Sequence, residues 1–172
     1  MRLLLAVALA FPTTVLAAGG DNDPPPRPVG SCKGAQVFDA DEGKCVDPKN
    51  SSLDRDEIYL AVRQLAYAGR LRDAQGVMGA LEENDPGRLT YMGFTHRKLG
   101  NRTLARAFYR RALDQDPDNL LARSYMGQGY VAEGNIDLAL DQLLEIRSRG
   151  GADTWPEVAL RDAIATGVTY NY

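Results

Sequence analysis

Apolar and polar residues alternate with a helical period from about residue 52 to about residue 166. The clearest case lies between Gly100 and Pro117, where apolar side chains recur every three or four positions. These apolar positions are Leu104, Ala105, Phe108, Tyr109, Ala112 and Leu113. Gly100 is a typical helix terminator, so the preceding helix is predicted from about Leu89 to Leu99. The pattern indicates pairs of helices joined by glycine turns.

The pattern is repeated along the chain. The segment "YMGFTHRKLGNRTLA", from Tyr91 to Ala105, returns 34 positions later as "YMGQGYVAEGNIDLA", with seven of fifteen residues identical. A weaker copy precedes it by 31 positions, and the corresponding glycines are Gly69, Gly100 and Gly134. A period of about 34 residues is typical of stacked helix pairs. The predicted repeats span about 55–85, 86–119 and 120–153.

Spacing also predicts details at two helix starts. The apolar positions of the following helix begin sooner after Pro86 than after Pro117. This difference in spacing predicts that the first helix of the second repeat starts about one turn late. A capping helix is predicted over 154–166, with Thr154 and Glu157 spaced as a capping box.

These residues resemble the tetratricopeptide repeat family. The family's small residue in each first helix is matched by Gly93 and Gly127, followed three positions later by His96 and Tyr130. Its small and large positions in each second helix are matched by Ala74, Ala105, Ala139, Met78, Tyr109 and Leu143. The first repeat departs from the pattern at Val62, and the third has Gly150-Gly151 in place of Asp-Pro. The resemblance covers roughly 52–153 and implies an all-α, right-handed helical-hairpin solenoid of about three repeats with a C-terminal capping helix.

The resemblance also implies a binding surface, because first helices of this family line a concave groove that holds a partner segment. Aromatic residues beside Arg63 and Arg97 suit a peptide with apolar anchors and carboxylates. Ordinary solvated side chains are the alternative interpretation. The groove positions carried over are Tyr59, Arg63, Tyr67, Thr90, Phe94, Arg97, Ser124, Gln128 and Val131.

The N-terminal residues predict export. Arg2 is followed by an apolar run to Phe11 and by the small residues Ala17 and Ala18, which is the pattern of a secretory signal peptide over 1–18. Cleavage is expected after Ala18, with Ala17 as the alternative. A retained membrane anchor fits less well, because the run is short and contains a proline. The mature protein is therefore expected to be periplasmic or secreted.

Residues 19–31 are rich in proline and aspartate and predict an extended linker. The following module, 32–48, holds the chain's two cysteines, Cys32 and Cys45, around a turn-rich sequence. In an exported protein this pair predicts a disulfide-bridged hairpin. A zinc site is the alternative role for the two cysteines, but zinc requires four ligands and the single histidine, His96, is distant in sequence.

Charge limits the choice of partner. The net charge is −3, and removing Arg2 with the signal peptide leaves 19 cations against 23 anions, or −4. This acidic balance argues against binding to nucleic acid. Arg102, Arg106 and Arg110, with Arg111 beside them, predict one outward basic stripe. Such a stripe is usually solvated, and contact with anionic lipid headgroups or a wall polymer is the alternative.

No residue set in the sequence indicates catalysis. There is one histidine, no phosphate-binding glycine loop and no nucleophile with a plausible base, and no cofactor or metal is expected. The sequence therefore predicts an exported, non-catalytic scaffold that binds another envelope or secreted protein. The alternative is a cell-wall- or glycan-binding protein in which the disulfide hairpin is the ligand module and the repeats are its support.

Overall fold

The computed structural model describes residues 32–169. The predicted signal peptide at 1–18 and linker at 19–31 lie outside the described residues. Within 32–169, none of the helices is long and apolar enough to cross a membrane.

The described chain is mostly helical, as the sequence predicts, and begins with a small antiparallel hairpin of β1 (Val37–Asp39) and β2 (Lys44–Val46). Two single 3-10 turns, Pro48–Asn50 and Met78–Ala80, follow the hairpin and the second helix. The helices are α1 (Arg55–Tyr67), α2 (Leu71–Val77), α3 (Pro86–Lys98), α4 (Arg102–Gln115), α5 (Leu120–Ala132), α6 (Ile136–Ser148) and α7 (Trp155–Thr166).

The turns inside the helix pairs share one geometry. Gly69, Gly100 and Gly134 all have positive φ angles, between 76° and 85°, which glycine adopts without steric cost. The residue after each glycine donates its backbone N–H to a carbonyl five positions back, as Asn101 does to His96 at 2.9 Å. Each turn therefore ends one helix and immediately begins the next, because a glycine stands where the backbone must reverse.

Helix α3 begins earlier than predicted. It starts at Pro86 rather than near Leu89, because the Asp85 carboxylate accepts a hydrogen bond from the Arg88 N–H at 2.7 Å and proline is favourable in the first turn. Helices α1, α3 and α5 each have 13 residues, so the first helix of the second repeat is not shortened. The shorter first spacing instead reflects α2, which has seven residues where α4 has 14.

The predicted capping box at the start of α7 is wrong. Thr154 occupies the N-cap position, but its hydroxyl donates to the Gly151 carbonyl at 2.6 Å and makes no cap hydrogen bond. Glu157 is buried and accepts from Arg147 at 2.6 Å and from Arg161 at 2.9 Å. Two guanidinium groups engage this carboxylate, so it is not directed at the helix end.

Consecutive helices pack against each other along the chain. Helices α1 and α2, α3 and α4, and α5 and α6 are in contact, and α7 packs on both α5 and α6. The first helices also meet, since α3 contacts α1 and α5. The buried core runs along these contacts, and its largest fully buried side chains include Tyr91, Tyr109, Tyr125 and Phe94.

The hairpin is cross-linked by the predicted Cys32–Cys45 disulfide, whose Cα atoms lie 5.6 Å apart. It also packs against α2: a Cβ placed on Gly76 would lie 2.5 Å from the Ala35 Cβ. Arg70, at the start of α2, donates to the Cys32 carbonyl at 2.9 Å. The hairpin therefore covers the N-terminal helix pair and shares its core.

Candidate partner-binding pocket

Helices α1, α3 and α5 carry the nine residues that the family resemblance predicts to line a groove. Tyr59, Arg63, Tyr67 and Arg97 are half-buried. The other five residues are buried, and at most 7% of the surface of each is exposed. They therefore do not form the solvent-facing surface of an open groove. These are Thr90, Phe94, Ser124, Gln128 and Val131. The assignment of these five to an open surface is corrected, because α3 and α5 are packed by helices on several sides.

The buried polar members of that set form hydrogen bonds inside the fold. The Thr90 hydroxyl donates to the Pro86 carbonyl at 2.7 Å and accepts from the Asn119 side chain at 3.1 Å. The Gln128 amide donates to the Ser124 hydroxyl at 3.3 Å. Buried polar groups require such partners, so these residues contribute to helix packing.

A tyrosine cluster joins the three first helices. The Tyr67 hydroxyl lies 2.9 Å from that of Tyr91 and 3.1 Å from that of Tyr125. The Phe94 ring centroid lies 4.9 Å from that of Tyr125. Burial raises the pKa of Tyr91 well above its ordinary value, so its hydroxyl remains neutral at physiological pH. Each of α1, α3 and α5 thus supplies one hydroxyl to a shared polar centre within an aromatic core.

A pocket of about 370 Å³ opens beside this cluster, between the end of α1, the following turn and α3. Its walls are mainly apolar, and Tyr67 and Phe94 form its aromatic side. The lining residues are Ala66, Tyr67, Ala68, Gly69, Leu71, Phe94 and Lys98. An apolar pocket with a few polar groups at its edge is the usual form of a binding site.

Three cations lie beside the rings of Tyr67 and Phe94, and one of them, Lys98, lines the pocket. The guanidinium carbon of Arg63 lies 6.0 Å from the Tyr67 ring centroid, and that of Arg97 lies 5.7 Å from the Phe94 centroid. The Lys98 Nζ lies 5.5 Å from the same Phe94 centroid. Burial, and to a lesser degree the neighbouring charge of Arg97, lowers the pKa of Lys98 to about 8. The pocket therefore combines apolar walls with one lining cation, Lys98, which suits an apolar group carrying a carboxylate.

The Arg97 side chain extends toward α4 and α5. Its Nε and Nη2 are buried, as is the neighbouring Tyr109 hydroxyl. Burial raises the pKa of Tyr109 to about 12, while the charge of Arg97 and a hydrogen bond with its side chain act in the opposite direction. A Cβ on Gly129 would lie 3.3 Å from the Arg97 Cδ, so the side chain runs close to α5. Arg97 and Tyr109 therefore form a buried polar pair between α3 and α4.

The basic stripe on α4 differs from the prediction. Arg106 is not simply solvated, because it forms an ion pair of 2.5 Å with Glu133 of the next helix pair. Arg111 donates to the Asn84 side chain at 3.0 Å. Arg102 and Arg110 are exposed, as predicted. Part of the stripe therefore connects neighbouring helix pairs.

Sequence reasoning did not identify Lys98 or Leu71 as pocket residues. One sequence signal marks Lys98, because it is the single lysine in residues 50–172, where the other fourteen basic residues are arginine. Leu71 carries no such signal, since its position depends on how the α1–α2 turn packs.

Within the described part of the chain, no group of three or more His, Cys, Asp and Glu residues is arranged to hold a metal ion. Comparison of the chain with protein-family models, curated proteins and solved structures finds no match.

Proposed function

We propose that this protein is an exported, non-catalytic scaffold built as a short tetratricopeptide-like solenoid. Helices α3 and α5 begin 34 residues apart, as do α4 and α6, which supports a repeated unit. Small residues lie where helices cross: a Cβ on Gly127 would lie 2.7 Å from Leu160 of α7. Close crossing at equivalent positions is how stacked helix pairs bury a continuous core.

The pocket between α1 and α3 is the proposed contact with a partner segment. The observation that carries this proposal is the combination of a 370 Å³ apolar pocket with Lys98 at its edge and Arg63 and Arg97 beside its rings. A segment with one large apolar side chain and a nearby carboxylate would fill the pocket and meet these cations. Pockets of about 300 Å³ or more are large enough to hold a specific ligand group.

The disulfide points to the compartment of the partner. Disulfides persist in oxidising environments and are rare in the cytoplasm, so a non-cytoplasmic location follows from the Cys32–Cys45 bridge. The proposed partner is accordingly another envelope or secreted protein. The packing of the hairpin against α2 gives the hairpin a structural role, which supports the scaffold over the glycan-binding alternative.

The test uses site-specific photocrosslinking of the full chain in its native envelope. A photoreactive residue at Ala68, which is exposed and lines the pocket, is compared with one at Asp114, which is exposed on α4. The proposal expects a crosslinked partner from Ala68 and none from Asp114.

Titration of the captured partner then separates the pocket from the basic stripe. Arg63→Glu reverses a pocket charge and should weaken binding by about 1–4 kcal/mol. Arg110→Glu reverses an exposed charge on α4 and should leave binding unchanged. If only Arg110→Glu weakens binding, the α4 stripe is the site and the pocket is not.

A further inference from the structure

Helix α6 exposes a line of large apolar side chains. Four of the eight large apolar residues that are exposed within residues 32–169 lie on this helix. Three of them, Ile136, Leu140 and Leu144, are spaced by four residues and therefore lie on one face, each between 38% and 61% exposed. These three residues form the α6 apolar stripe. Exposed apolar groups that lie together mark a surface that binds another molecule.

Comparison with α4 indicates the direction in which the α6 apolar stripe faces. Each of its residues lies 34 positions after an arginine of α4, and these arginines are Arg102, Arg106 and Arg110. Arg106 forms an ion pair with Glu133 of the next helix pair, so this face of α4 is directed along the stack. The equivalent face of α6 is directed the same way, beyond the last helix pair. Isoleucine and leucine thus replace arginine at the C-terminal end of the repeats.

The two ends of the helix stack differ in how they are covered. At the N-terminal end, the hairpin packs on α2, where Ala35 lies against Gly76. At the C-terminal end, α7 contacts α6, and the buried Leu143 and Ile146 of α6 cluster with Leu160 of α7. Within residues 32–169 this packing leaves the α6 apolar stripe exposed. The stripe is therefore the open side of the last repeat.

We propose that the α6 apolar stripe binds a second copy of this chain, with the two α6 helices antiparallel about a two-fold axis. In such a dimer the same surface of both copies forms the interface, so that surface must complement itself. When Leu140 lies opposite Leu144 of the second copy, the axis passes beside position 142 and the apolar side chains meet at the centre. This inference goes beyond the proposed scaffold role and does not depend on it, because α6 contributes no residue to the pocket.

Charges at the two ends of the α6 apolar stripe favour a second copy as the occupant. Asp137 is exposed at the N-terminal end. Arg147 lies at the C-terminal end, and its side chain is 44% exposed although it also bonds with Glu157. Asp137 and Arg147 lie five positions on either side of position 142, so in the antiparallel dimer each Asp137 faces Arg147 of the other copy. A parallel pairing would bring like charges together, which disfavours it.

Sedimentation equilibrium of the full disulfide-bonded chain tests the dimer. The α6 apolar stripe extends over only about 12 Å of helix, so we expect a weak dimer with a dissociation constant in the micromolar range. The measurement therefore covers concentrations from low micromolar to several hundred micromolar. The average mass should rise with concentration from the monomer to the dimer and no further, because a two-fold interface is closed.

Leu140→Glu and Leu138→Glu form a matched pair of variants. Both leucines are exposed on α6, but their side chains point about 160° apart around the helix axis. Leu140→Glu should weaken the dimer by at least about tenfold, whereas Leu138→Glu should leave it unchanged. Leu144→Glu, at the most exposed position of the stripe, should act like Leu140→Glu. Circular dichroism of the three variants establishes that they are folded.

A charge reversal tests the antiparallel geometry. Asp137→Arg places a positive charge opposite Arg147 of the second copy and should weaken the dimer, and it should also remove most of its dependence on salt. An unchanged or stronger dimer would overturn the antiparallel pairing. A chain that stays monomeric at every concentration, or equal effects of Leu140→Glu and Leu138→Glu, would overturn the proposal, even if the stripe then bound vesicles or another protein. Failure of the partner-binding test would leave this result unaffected, because sedimentation needs no other partner.

Discussion

Gly93 of α3 and Tyr109 of α4 lie in direct contact across a helix pair, with the glycine leaving room for the ring. A Cβ on Gly93 would lie 2.4 Å from the Tyr109 ring, well inside van der Waals contact. Tyr109 is 1% exposed, so the ring has no open side into which it could move. This contact explains why the sequence combines a small residue in a first helix with a large one in a second helix.

Gly93→Ala should therefore destabilise the fold. The added methyl group overpacks the crossing, at a cost of about 1–3 kcal/mol that exceeds the helix propensity gained from alanine. Urea denaturation followed by circular dichroism measures the loss. In a Tyr109→Leu background the same substitution should cost less, because the ring is gone. An equal cost in both backgrounds would show that the contact is not the cause.

The disulfide should stabilise α2 as well as the hairpin. Replacing both cysteines with alanine reopens a loop with a sequence separation of 13, which corresponds to about 3 kcal/mol in the chain-entropy account. Because Ala35 packs against Gly76 and Arg70 binds the Cys32 carbonyl, loss of the bridge should also loosen α2. Hydrogen exchange measured peptide by peptide should show faster exchange in α2 and no change in α6. Exchange that rises only within 32–48 would contradict this coupling.

Intact-mass analysis after alkylation without reductant gives a direct check on the bridge. The oxidised protein should take up no alkyl group, since both cysteines are paired. Two alkylated thiols would show that the bridge is absent.

Glu157 should be the most sensitive carboxylate of α7. It is 2% exposed and accepts hydrogen bonds from Arg147 and Arg161, which link α6 and α7. Glu157→Gln keeps the shape but turns one acceptor into a donor facing a guanidinium group. The expected loss is about 1.5–3 kcal/mol, toward the lower end because both arginines are more than 40% exposed.

The matched control for Glu157 is Glu145→Gln. Glu145 is also bonded to arginine, but its side chain is 45% exposed, so its substitution should cost less than about 1 kcal/mol. Thermal and urea unfolding of both variants provide the comparison. Equal losses would mean that burial adds nothing to the Glu157 interaction.

Phe94→Ala should destabilise the core and is unsuitable as a simple binding probe. The side chain is 1% exposed, and its ring contacts those of Tyr67, Tyr91 and Tyr125. Removing a buried phenylalanine costs about 3–5 kcal/mol. Phe38→Ala is the control, because Phe38 is 50% exposed and its loss should change stability little. Unchanged stability of Phe94→Ala by urea denaturation would restore the open-groove assignment.

The sequence predicted the helix pairs because their signals are local. A glycine at each reversal and an apolar period on either side determine where helices end, and Gly69, Gly100 and Gly134 adopt the positive φ angles that such turns require. The start of α3 differs from the prediction because the spacing after Pro86 indicates a delay, whereas the Asp85 cap acts directly on the first turn.

The site was predicted less well because it depends on tertiary packing. Sequence periodicity gives the helix face on which Phe94 or Gln128 lies, but not how closely the neighbouring helices approach that face. Here α1, α3 and α5 pack closely enough for Tyr67 to reach both Tyr91 and Tyr125, which buries residues expected to line a surface. The altered pKa of Lys98 likewise results from burial in the pocket between α1 and α3.

The single histidine should make stability depend on pH in a defined direction. His96 stacks on Phe108 with ring centroids 5.4 Å apart, and burial lowers its pKa below the ordinary value of 6.5. The Asn101 side-chain nitrogen lies 3.3 Å from His96 Nδ1, a contact that suits a neutral ring accepting at Nδ1. The folded protein therefore favours neutral histidine, and the unfolded chain takes up the proton first as the pH falls.

His96 should accordingly contribute its full stabilisation above pH 6.5 and lose it as the pH falls through the lower folded-state pKa. His96→Phe keeps a ring to stack on Phe108 and removes the titration. Urea denaturation of both proteins between pH 7.5 and 5 gives the difference in their free energies of unfolding, which cancels contributions from carboxylates common to both. That difference should shift in favour of the phenylalanine variant as the pH falls. A difference that stays constant over this range would show that His96 has the same pKa in the folded and unfolded chains.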